Sequence, residues 1–298
     1  LKEYLFESDT DSEVITALLS YYRKEGYTHI DCVKETISKL EGSYALAIIF
    51  SDQKESIYGA KNGSPLVAGI NDSGTSLGSD SIALSSLAEK VSYLEDGDIV
   101  VCNKDILEIF NTKGEKVERE FVDIGFDETD ISKGNFQHFM EKEIHEHPQA
   151  VGETFKQFID HDKGLITVSD IELDFTSVSR IHLIACGTAY YACLVAKYYF
   201  EEYARVPVEC DMASEYRYRS PVLDKNALCI FVTQSGETAD TKAALDYSKS
   251  RGLKTLSIVN VKNSSIARES EFCIYTKAGA EIGVASTKAF TAQLSVLL

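Results

Sequence analysis

Residues 227–238 read Ala227-Leu228-Cys229-Ile230-Phe231-Val232 and then Thr233-Gln234-Ser235-Gly236-Glu237-Thr238. The first part is an unbroken apolar run, which is typical of a strand buried on both faces of a parallel sheet. The second part is small and polar, and the residues from Thr238 to about Arg251 have a helical pattern. Ligands of open parallel sheets bind outside the carboxyl ends of the strands. This junction is therefore the first candidate binding site.

The polar half of this stretch has the chemistry of a phosphate cradle. The first turn of a helix offers unpaired N–H groups and the positive end of a dipole. Gly236 allows close approach of the backbone, and hydroxyl donors come from Thr233, Ser235 and Thr238. Neither a P-loop nor a GxGxxG dinucleotide motif occurs in the chain. The alternative is an ordinary helix N-cap supplied by a Ser or Thr with help from Glu237, and it stays open at this point.

Strand and helix patterns alternate on both sides of this junction. Strands are predicted at 180–185, 206–211, 227–232 and 255–259, and helices at 189–203, 214–219, 238–251 and 287–298. Such alternation predicts parallel strands joined by crossover helices, hence an α/β fold with a doubly wound sheet.

Two further loops have a similar small, polar composition. Cys186-Gly187-Thr188 ends one strand and leads into a helix. A thiolate nucleophile at a helix N-terminus is one interpretation of Cys186, but contact with a substrate or simple packing is favoured. The segment from Glu281 to Lys288 precedes the last helix, and an ordinary connecting loop with a capping Ser or Thr explains it equally well. Three such loops from one sheet would converge on one small ligand.

The first 130 residues show a different pattern. Two helical segments begin near Ser12 and Asp31, and short apolar runs separated by turn signals follow them. One further helix is predicted from about Ser79 to Ala88, so we expect a largely antiparallel α+β unit. A long, charged helical pattern from Gly134 to about Ile159 then joins the two halves.

No metal site or cofactor is expected. His145 and His147 are two residues apart on a predicted helix, so their rings face different sides. Glu141 shares a face with His145, but two ligands fall short of the three or four that zinc needs. A solvated helix surface is the favoured interpretation.

Charge and cysteine content restrict the class of protein. The 298 residues carry a net charge of −17, which disfavours binding to nucleic acid or to an anionic membrane. No apolar run of about 18 residues is present, and no signal peptide is recognisable. The seven cysteines are scattered, without CxxC spacing, and favour reduced thiols in a cytoplasmic protein. The opening Leu1 and the uncapped helix at Leu298 lead us to expect a chain cut at both ends.

Several motifs together resemble the glucosamine-6-phosphate synthase family. The segments 186–188, 213–219, 234–241 and 281–290 resemble the first sugar isomerase (SIS) domain of that family, and 139–144 with His147-Pro148 resembles the segment that precedes it. Further upstream, the segments 10–15, 42–45 and 63–67 resemble the later part of its glutaminase domain. The resemblance covers essentially all 298 residues in the family's order.

This resemblance implies an enzyme that converts fructose 6-phosphate and glutamine to glucosamine 6-phosphate and glutamate. The implied fold is a doubly wound parallel-sheet SIS domain preceded by the C-terminal part of an α+β N-terminal-nucleophile glutaminase. The implied bounds are 1–125 for the glutaminase part, 126–165 for a linker helix region and 166–298 for the SIS part. A cytoplasmic homodimer is a further family expectation.

The resemblance also implies roles for individual residues. The residues implied to hold the sugar phosphate are Cys186, Gly187, Thr188, Thr233, Gln234, Ser235, Thr238, Val284 and Ser286. Asp11 would hold the amino group of glutamine, because a carboxylate facing an ammonium is the expected chemistry. An N-cap of the helix that starts near Ser12 is the equal alternative for Asp11.

The chain also departs from the family's pattern. Position 189 is Ala where many members have Ser, and position 233 is Thr where Ser is common. The N-terminal Cys nucleophile and the second SIS domain are missing from the sequence, so no catalytic residue is assigned and the chain alone is expected to be inactive. A SIS-domain sugar-phosphate regulator is disfavoured because such regulators carry a basic DNA-binding helix. An aminosugar isomerase without glutaminase, or a purine-pathway amidotransferase, leaves one half of the chain unexplained.

Overall fold

The computed structural model describes residues 4–124, 131–160, 163–168 and 171–298. The chain forms two compact units, Leu1–Asp127 and Glu128–Leu298. The boundary expected between residues 125 and 126 falls outside the described residues, and the domain bounds given above stay predictions. No described helix has the length and apolar character needed to cross a membrane.

The first unit consists of two helices followed by short strands, within the residues described. The elements are α1 (Ser12–Lys24), α2 (His29–Ile37), β1 (Tyr44–Phe50), β2 (Gln53–Asn62), β3 (Val67–Asn71), β4 (Gly74–Gly78), β5 (Lys90–Tyr93), β6 (Ile99–Cys102), β7 (Leu107–Phe110), β8 (Lys116–Val117) and β9 (Val122–Asp123). One sheet has the order β1-β2-β6-β7-β8 and the other β4-β3-β5-β9, and the strands pair antiparallel throughout these described sheets. The predicted α+β arrangement is confirmed.

Successive side chains of β6 point into two different hydrophobic clusters, one on each face of the first sheet. Ile99 packs with the helix residues Leu19 and Val33, whereas Val100 packs with Leu77 of β4 and with Leu66, which directly precedes β3. Successive residues of a strand face opposite sides, so this alternation places helices on one face of the first sheet and the second sheet on the other.

The prediction of a helix from Ser79 to Ala88 is wrong. Turns occupy this segment instead. The backbone N–H of Ala83 donates to the Asp80 carboxylate at 2.8 Å, and the Ser85 hydroxyl donates to the carbonyl of Ile82 at 2.6 Å. Short polar side chains that bond to nearby backbone groups compete with helical hydrogen bonds. Leu84 and Ala88 remain buried, which explains the apolar spacing that resembled a helix.

The second unit alternates strands and helices. Its elements are α3 (Phe139–Lys156), the hairpin β10 (Ile159–Asp160) and β11 (Leu165–Ile166), β12 (Arg180–Ala185), α4 (Gly187–Tyr199) with a π-helical extension (Phe200–Ala204), β13 (Val208–Met212), α5 (Ala213–Tyr216), β14 (Ala227–Val232), α6 (Ala239–Ser250), β15 (Lys254–Val259), α7 (Ser265–Glu269), β16 (Phe272–Tyr275) and α8 (Lys288–Leu297). The sheet order is β13-β12-β14-β15-β16 and these pairs are parallel. The predicted doubly wound α/β fold is confirmed.

Both faces of this parallel sheet are buried. In β14, Leu228 and Ile230 pack with residues of α4 and α8, while Cys229 and Phe231 pack with residues of α6. A strand covered on both faces has no solvent-facing positions, which is why residues 227–232 are uniformly apolar.

Candidate functional site

The carboxyl ends of four neighbouring strands lie along one edge of the parallel sheet. Ala185 at the end of β12 pairs with Val232 at the end of β14, and Val232 pairs with Ile258 near the end of β15. Val259 in turn pairs with Tyr275 of β16. The segments that follow these strands therefore begin side by side, as the sequence predicted.

The loop from Thr233 to Thr238, here called the hydroxyl loop, is held by its own side chains. The Thr233 and Thr238 hydroxyl oxygens are 3.0 Å apart, and Thr233 Oγ1 also accepts from the backbone N–H of Gly236 at 3.3 Å. Ser235 Oγ accepts from the N–H of Glu237 at 3.2 Å. Thr233 is buried and Ser235 and Thr238 are partly exposed. Hydroxyl groups thus collect at the start of α6.

The capping interpretation is wrong for Thr238. This residue occupies the N-cap position of α6, but its side chain makes no capping hydrogen bond. Glu237 precedes the N-cap and so is not at the N3 position of a capping box, and its carboxylate accepts from the N–H of Ser265 at 2.7 Å. The polar side chains therefore do more than terminate the helix, and the start of α6 keeps the positive dipole end that suits an anion.

Gly236 is required by a close approach of two backbone segments. Its φ is +68°, and a Cβ added there would lie 1.9 Å from Ser264 Oγ. The N–H of Ile266 donates to the Gly236 carbonyl at 3.0 Å, which draws α7 against the hydroxyl loop. The glycine predicted from turn chemistry thus has a second role, since a larger residue would push Ser264 away.

Sequence reasoning missed the segment after β15. Asn260 donates its backbone N–H to the Gln234 carbonyl at 3.1 Å and its side-chain amide to the Gly279 carbonyl at 2.7 Å. Its Oδ1 accepts from Thr276 Oγ1 at 2.9 Å and from the N–H of Ala278 at 3.0 Å. Asn260 therefore joins the hydroxyl loop to the chain that leads to residue 281. An Asn directly after a buried strand was the available signal.

The first loop of the site contains Cys186, Gly187 and Thr188. Gly187 has a φ of +57° where α4 begins, and Gly187 and Thr188 are exposed. Thr241 Oγ1 of α6 donates to Cys186 Sγ at 3.9 Å, so this loop lies against the helix that follows the hydroxyl loop. This is a packing contact, and a role of Cys186 in substrate contact stays a prediction.

His182 is the nearest histidine to Cys186 in sequence. It lies within β12, is fully buried, and packs against the ring of Tyr216 at 6.2 Å between centroids. Burial lowers the pKa of His182, because the imidazolium loses its hydration. Its surroundings are those of a core residue.

The third loop runs from Glu281 to Thr287. Glu281 Oε1 accepts from the N–H groups of Thr287 at 2.7 Å and of Ala289 at 3.1 Å, which closes the loop onto the start of α8. Between these anchors, Val284 is fully exposed and Ser286 is partly exposed.

In the first unit, Asp11 lies at the N-cap position of α1. Its side chain makes no capping hydrogen bond, so the capping alternative is wrong for this residue as well. Gly63 pairs with Tyr44 in an isolated bridge, and its N–H donates to Asp96 Oδ1 at 2.8 Å. The motifs quoted from residues 42–45 and 63–67 are therefore neighbours in the fold.

The seven cysteines all lie in the described part of the chain and are free thiols. Burial raises the pKa of the Cys102 and Cys210 thiols to about 11 each. These two groups are protonated at neutral pH, as expected of structural thiols. Glu141 and His145 are exposed on α3, and no cluster of metal-ligating residues occurs within the described ranges.

Residues 174–298, which lie in the second unit, match the SIS domain family. This match defines that part of the chain as a SIS domain, in agreement with its parallel sheet and loops. Over 292 residues the chain is 46% identical to the glutamine--fructose-6-phosphate aminotransferase (isomerizing) of Zymomonas mobilis, covering 98% of this chain and 48% of that protein. The protein of the same name from Mesorhizobium japonicum is 46% identical over 294 residues, with 99% and 48% covered. The chain belongs to the glutamine--fructose-6-phosphate aminotransferase family and spans about half the length of the curated relatives it matches.

A solved structure gives the same result. The C-terminal domain of glucosamine-fructose-6-phosphate aminotransferase from Francisella tularensis superposes with a TM-score of 0.53 at 46% sequence identity. The superposition covers 56% of this chain and 47% of the Francisella tularensis chain. The family resemblance stated from the motifs is thereby confirmed.

Proposed function

We propose that the chain is part of a longer enzyme that converts fructose 6-phosphate and glutamine to glucosamine 6-phosphate and glutamate, in hexosamine biosynthesis. Relatives with 46% identity carry the name of that activity. Within this enzyme the second unit supplies part of the sugar-phosphate site and the first unit part of the glutamine site. Cytoplasmic location and a homodimer complete the proposal, and the net charge of −17 supports the absence of nucleic acid or anionic lipid as partners.

The hydroxyl loop carries the proposal. Thr233 and Thr238 place two hydroxyl groups 3.0 Å apart at the start of α6, and Thr238 does not use its hydroxyl to cap that helix. A phosphate accepts hydrogen bonds from hydroxyl and backbone N–H donors, and the helix dipole favours its charge. The loop therefore binds a phosphate monoester without a lysine, with Gln234 and Ser235 as further donors.

The neighbouring loops contact the sugar itself. Gly187 and Thr188 are exposed beside the start of α6, and backbone N–H and hydroxyl groups there suit the oxygen atoms of a hexose. Cys186 contributes packing, while Val284 and Ser286 approach the ligand from the third loop. Asp11 binds the amino group of glutamine through its carboxylate in the first unit.

Two variants of the full-length enzyme test the phosphate assignment. In Ser235→Ala and Thr238→Val, we expect fructose 6-phosphate to bind roughly ten- to a hundredfold more weakly, because a hydrogen bond to a charged group is lost in each. Titration calorimetry measures this affinity, and glutamine hydrolysis without sugar should be almost unchanged.

Ser250→Ala is the matched control. Ser250 lies at the other end of α6, and its hydroxyl donates to the carbonyl of Tyr247 at 2.7 Å. Its loss should leave sugar affinity unchanged. Wild-type affinity in a folded Ser235→Ala enzyme would show that the hydroxyl loop does not bind the phosphate.

A further inference from the structure

Glu143 is a buried carboxylate on α3 that holds a loop far away in sequence. The residue is 2% exposed. Its Oε1 accepts from the N–H of Ile282 at 2.7 Å and from the N–H of Gly283 at 2.8 Å. Its Oε2 accepts from Thr287 Oγ1 at 2.6 Å. One side chain thus contacts both ends of the loop 282–287.

These contacts fix the direction of the backbone. Two successive N–H groups converge on a single oxygen atom, and such an arrangement permits only a narrow range of backbone conformation at Ile282 and Gly283. Burial of a carboxylate is unfavourable unless its oxygen atoms accept strong hydrogen bonds. The three donors of this loop satisfy Glu143, so the loop and the carboxylate stabilise each other.

The identity of residue 283 supports this interpretation. A Cβ added to Gly283 would lie 2.8 Å from Glu143 Oε2. The φ of Gly283 does not lie in the left-handed region, so its backbone does not by itself demand glycine. The close approach of the carboxylate is the reason for a glycine here.

Helix α3 is itself fixed to other parts of the second unit. Lys288 Nζ, at the start of α8, lies 2.6 Å from Glu146 Oε2, and the N–H of Lys277 donates to Thr154 Oγ1 at 3.0 Å. Lys288 is buried and Glu146 is partly buried, so this ion pair is shielded from solvent. Glu143 therefore acts from a rigid support.

We propose that Glu143 is a positioning residue: it sets the affinity for the sugar by fixing the loop 282–287, without touching the ligand. Val284 and Ser286 lie between its contacts, so their placement follows from the bonds to Ile282, Gly283 and Thr287. The proposal rests on the proposed function, because it takes this loop as part of the sugar site.

The test compares Glu143→Ala with Glu143→Gln in the full-length enzyme. The alanine variant loses the three hydrogen bonds, and we expect fructose 6-phosphate to bind about tenfold more weakly or worse. The glutamine variant should stay within about threefold of wild type. Its amide oxygen accepts from both N–H groups and its NH₂ donates to Thr287 Oγ1, whose own proton turns to Glu281 Oε1 at 3.0 Å.

Hydrogen exchange provides a readout that needs no ligand. The amides of Ile282 and Gly283 should exchange faster in Glu143→Ala and at nearly the wild-type rate in Glu143→Gln. Glu153→Ala is the matched control, since Glu153 lies exposed on the same helix and pairs with Lys156. It should change neither exchange nor affinity.

The outcomes separate the two proposals. Wild-type enzyme that fails to bind fructose 6-phosphate overturns the proposed function, and with it this role of Glu143. Wild-type enzyme that binds the sugar, while Glu143→Ala binds it equally well or leaves both amides protected, overturns the positioning role alone.

Discussion

The hydroxyl loop and the loop 282–287 lie on the same unit but are held in opposite ways. In the hydroxyl loop the hydroxyl groups bond within the loop, as Thr233 does with Thr238, five positions apart, while backbone bonds join the loop to Asn260 and Ile266. In the loop 282–287 Glu281 makes a local bond to Thr287, but Ile282 donates to Glu143, which is 139 positions away. The hydroxyl bonds of one loop are local, whereas the other loop also depends on a carboxylate from a helix distant in sequence.

This difference has a consequence for how each loop responds to change. The shape of the hydroxyl loop should depend on the residues within it and on what touches it closely, above all Ser264 beside Gly236. The shape of the loop 282–287 should depend on α3. Substitutions that affect one loop and spare the other are therefore the sharpest test of the comparison.

The largest effect is expected from Gly236→Ala. A Cβ there is both strained, at a φ of +68°, and 1.9 Å from Ser264 Oγ. Left-handed strain and overpacking together should lower the free energy of unfolding by about 3 kcal/mol or more. Urea unfolding of the chain measures this loss.

Gly252→Ala is the control for backbone strain alone. Gly252 has a φ of +71°, and an added Cβ there meets nothing within 4 Å. We expect a loss of about 1 kcal/mol. Equal losses at the two positions would contradict the view that close contact with Ser264 shapes the hydroxyl loop.

A medium effect is expected from Asn260→Ala. The variant loses the bonds of the side chain to Gly279, Thr276 and Ala278 but keeps the backbone bond to Gln234. The free energy of unfolding should fall by about 2 kcal/mol, since the bonds are only partly replaced by water. Exposed Asn226, changed to Ala, should cost less than about 0.5 kcal/mol.

Hydrogen exchange locates the damage in Asn260→Ala. The amide of Ala278 should exchange faster, while that of Gly236, bonded to Thr233 Oγ1, should keep its protection. Loss of protection at Gly236 would show that the hydroxyl loop is not self-supporting and would remove the contrast between the two loops.

The sequence predicted the strands and the hydroxyl loop because short-range patterns determine them. The strands 180–185 and 227–232 have the predicted bounds, since burial on both faces leaves an unbroken apolar run. Glu143 was not predicted, because a carboxylate in a charged helical pattern looks like any exposed Glu until the fold brings Ile282 and Gly283 to it. The prediction of a helix at Ser79–Ala88 was wrong for the opposite reason. Apolar spacing suggested a helix, whereas local hydrogen bonds of Asp80 and Ser85 form turns.

The smallest effect on stability is expected from Thr238→Val, and it separates a ligand-binding hydroxyl from a helix cap. Thr238 makes no capping bond, so the variant loses only its contact with Thr233 Oγ1, and the free energy of unfolding should fall by about 0.5 kcal/mol. Thr28→Val is the matched comparison, because Thr28 Oγ1 accepts from the N–H of Asp31 at 3.3 Å and caps α2. Its loss should cost about 1 kcal/mol. A greater loss at Thr238 than at Thr28 in urea unfolding would mean that the Thr238 hydroxyl mainly stabilises the fold, and the case for a phosphate donor at this position would fail.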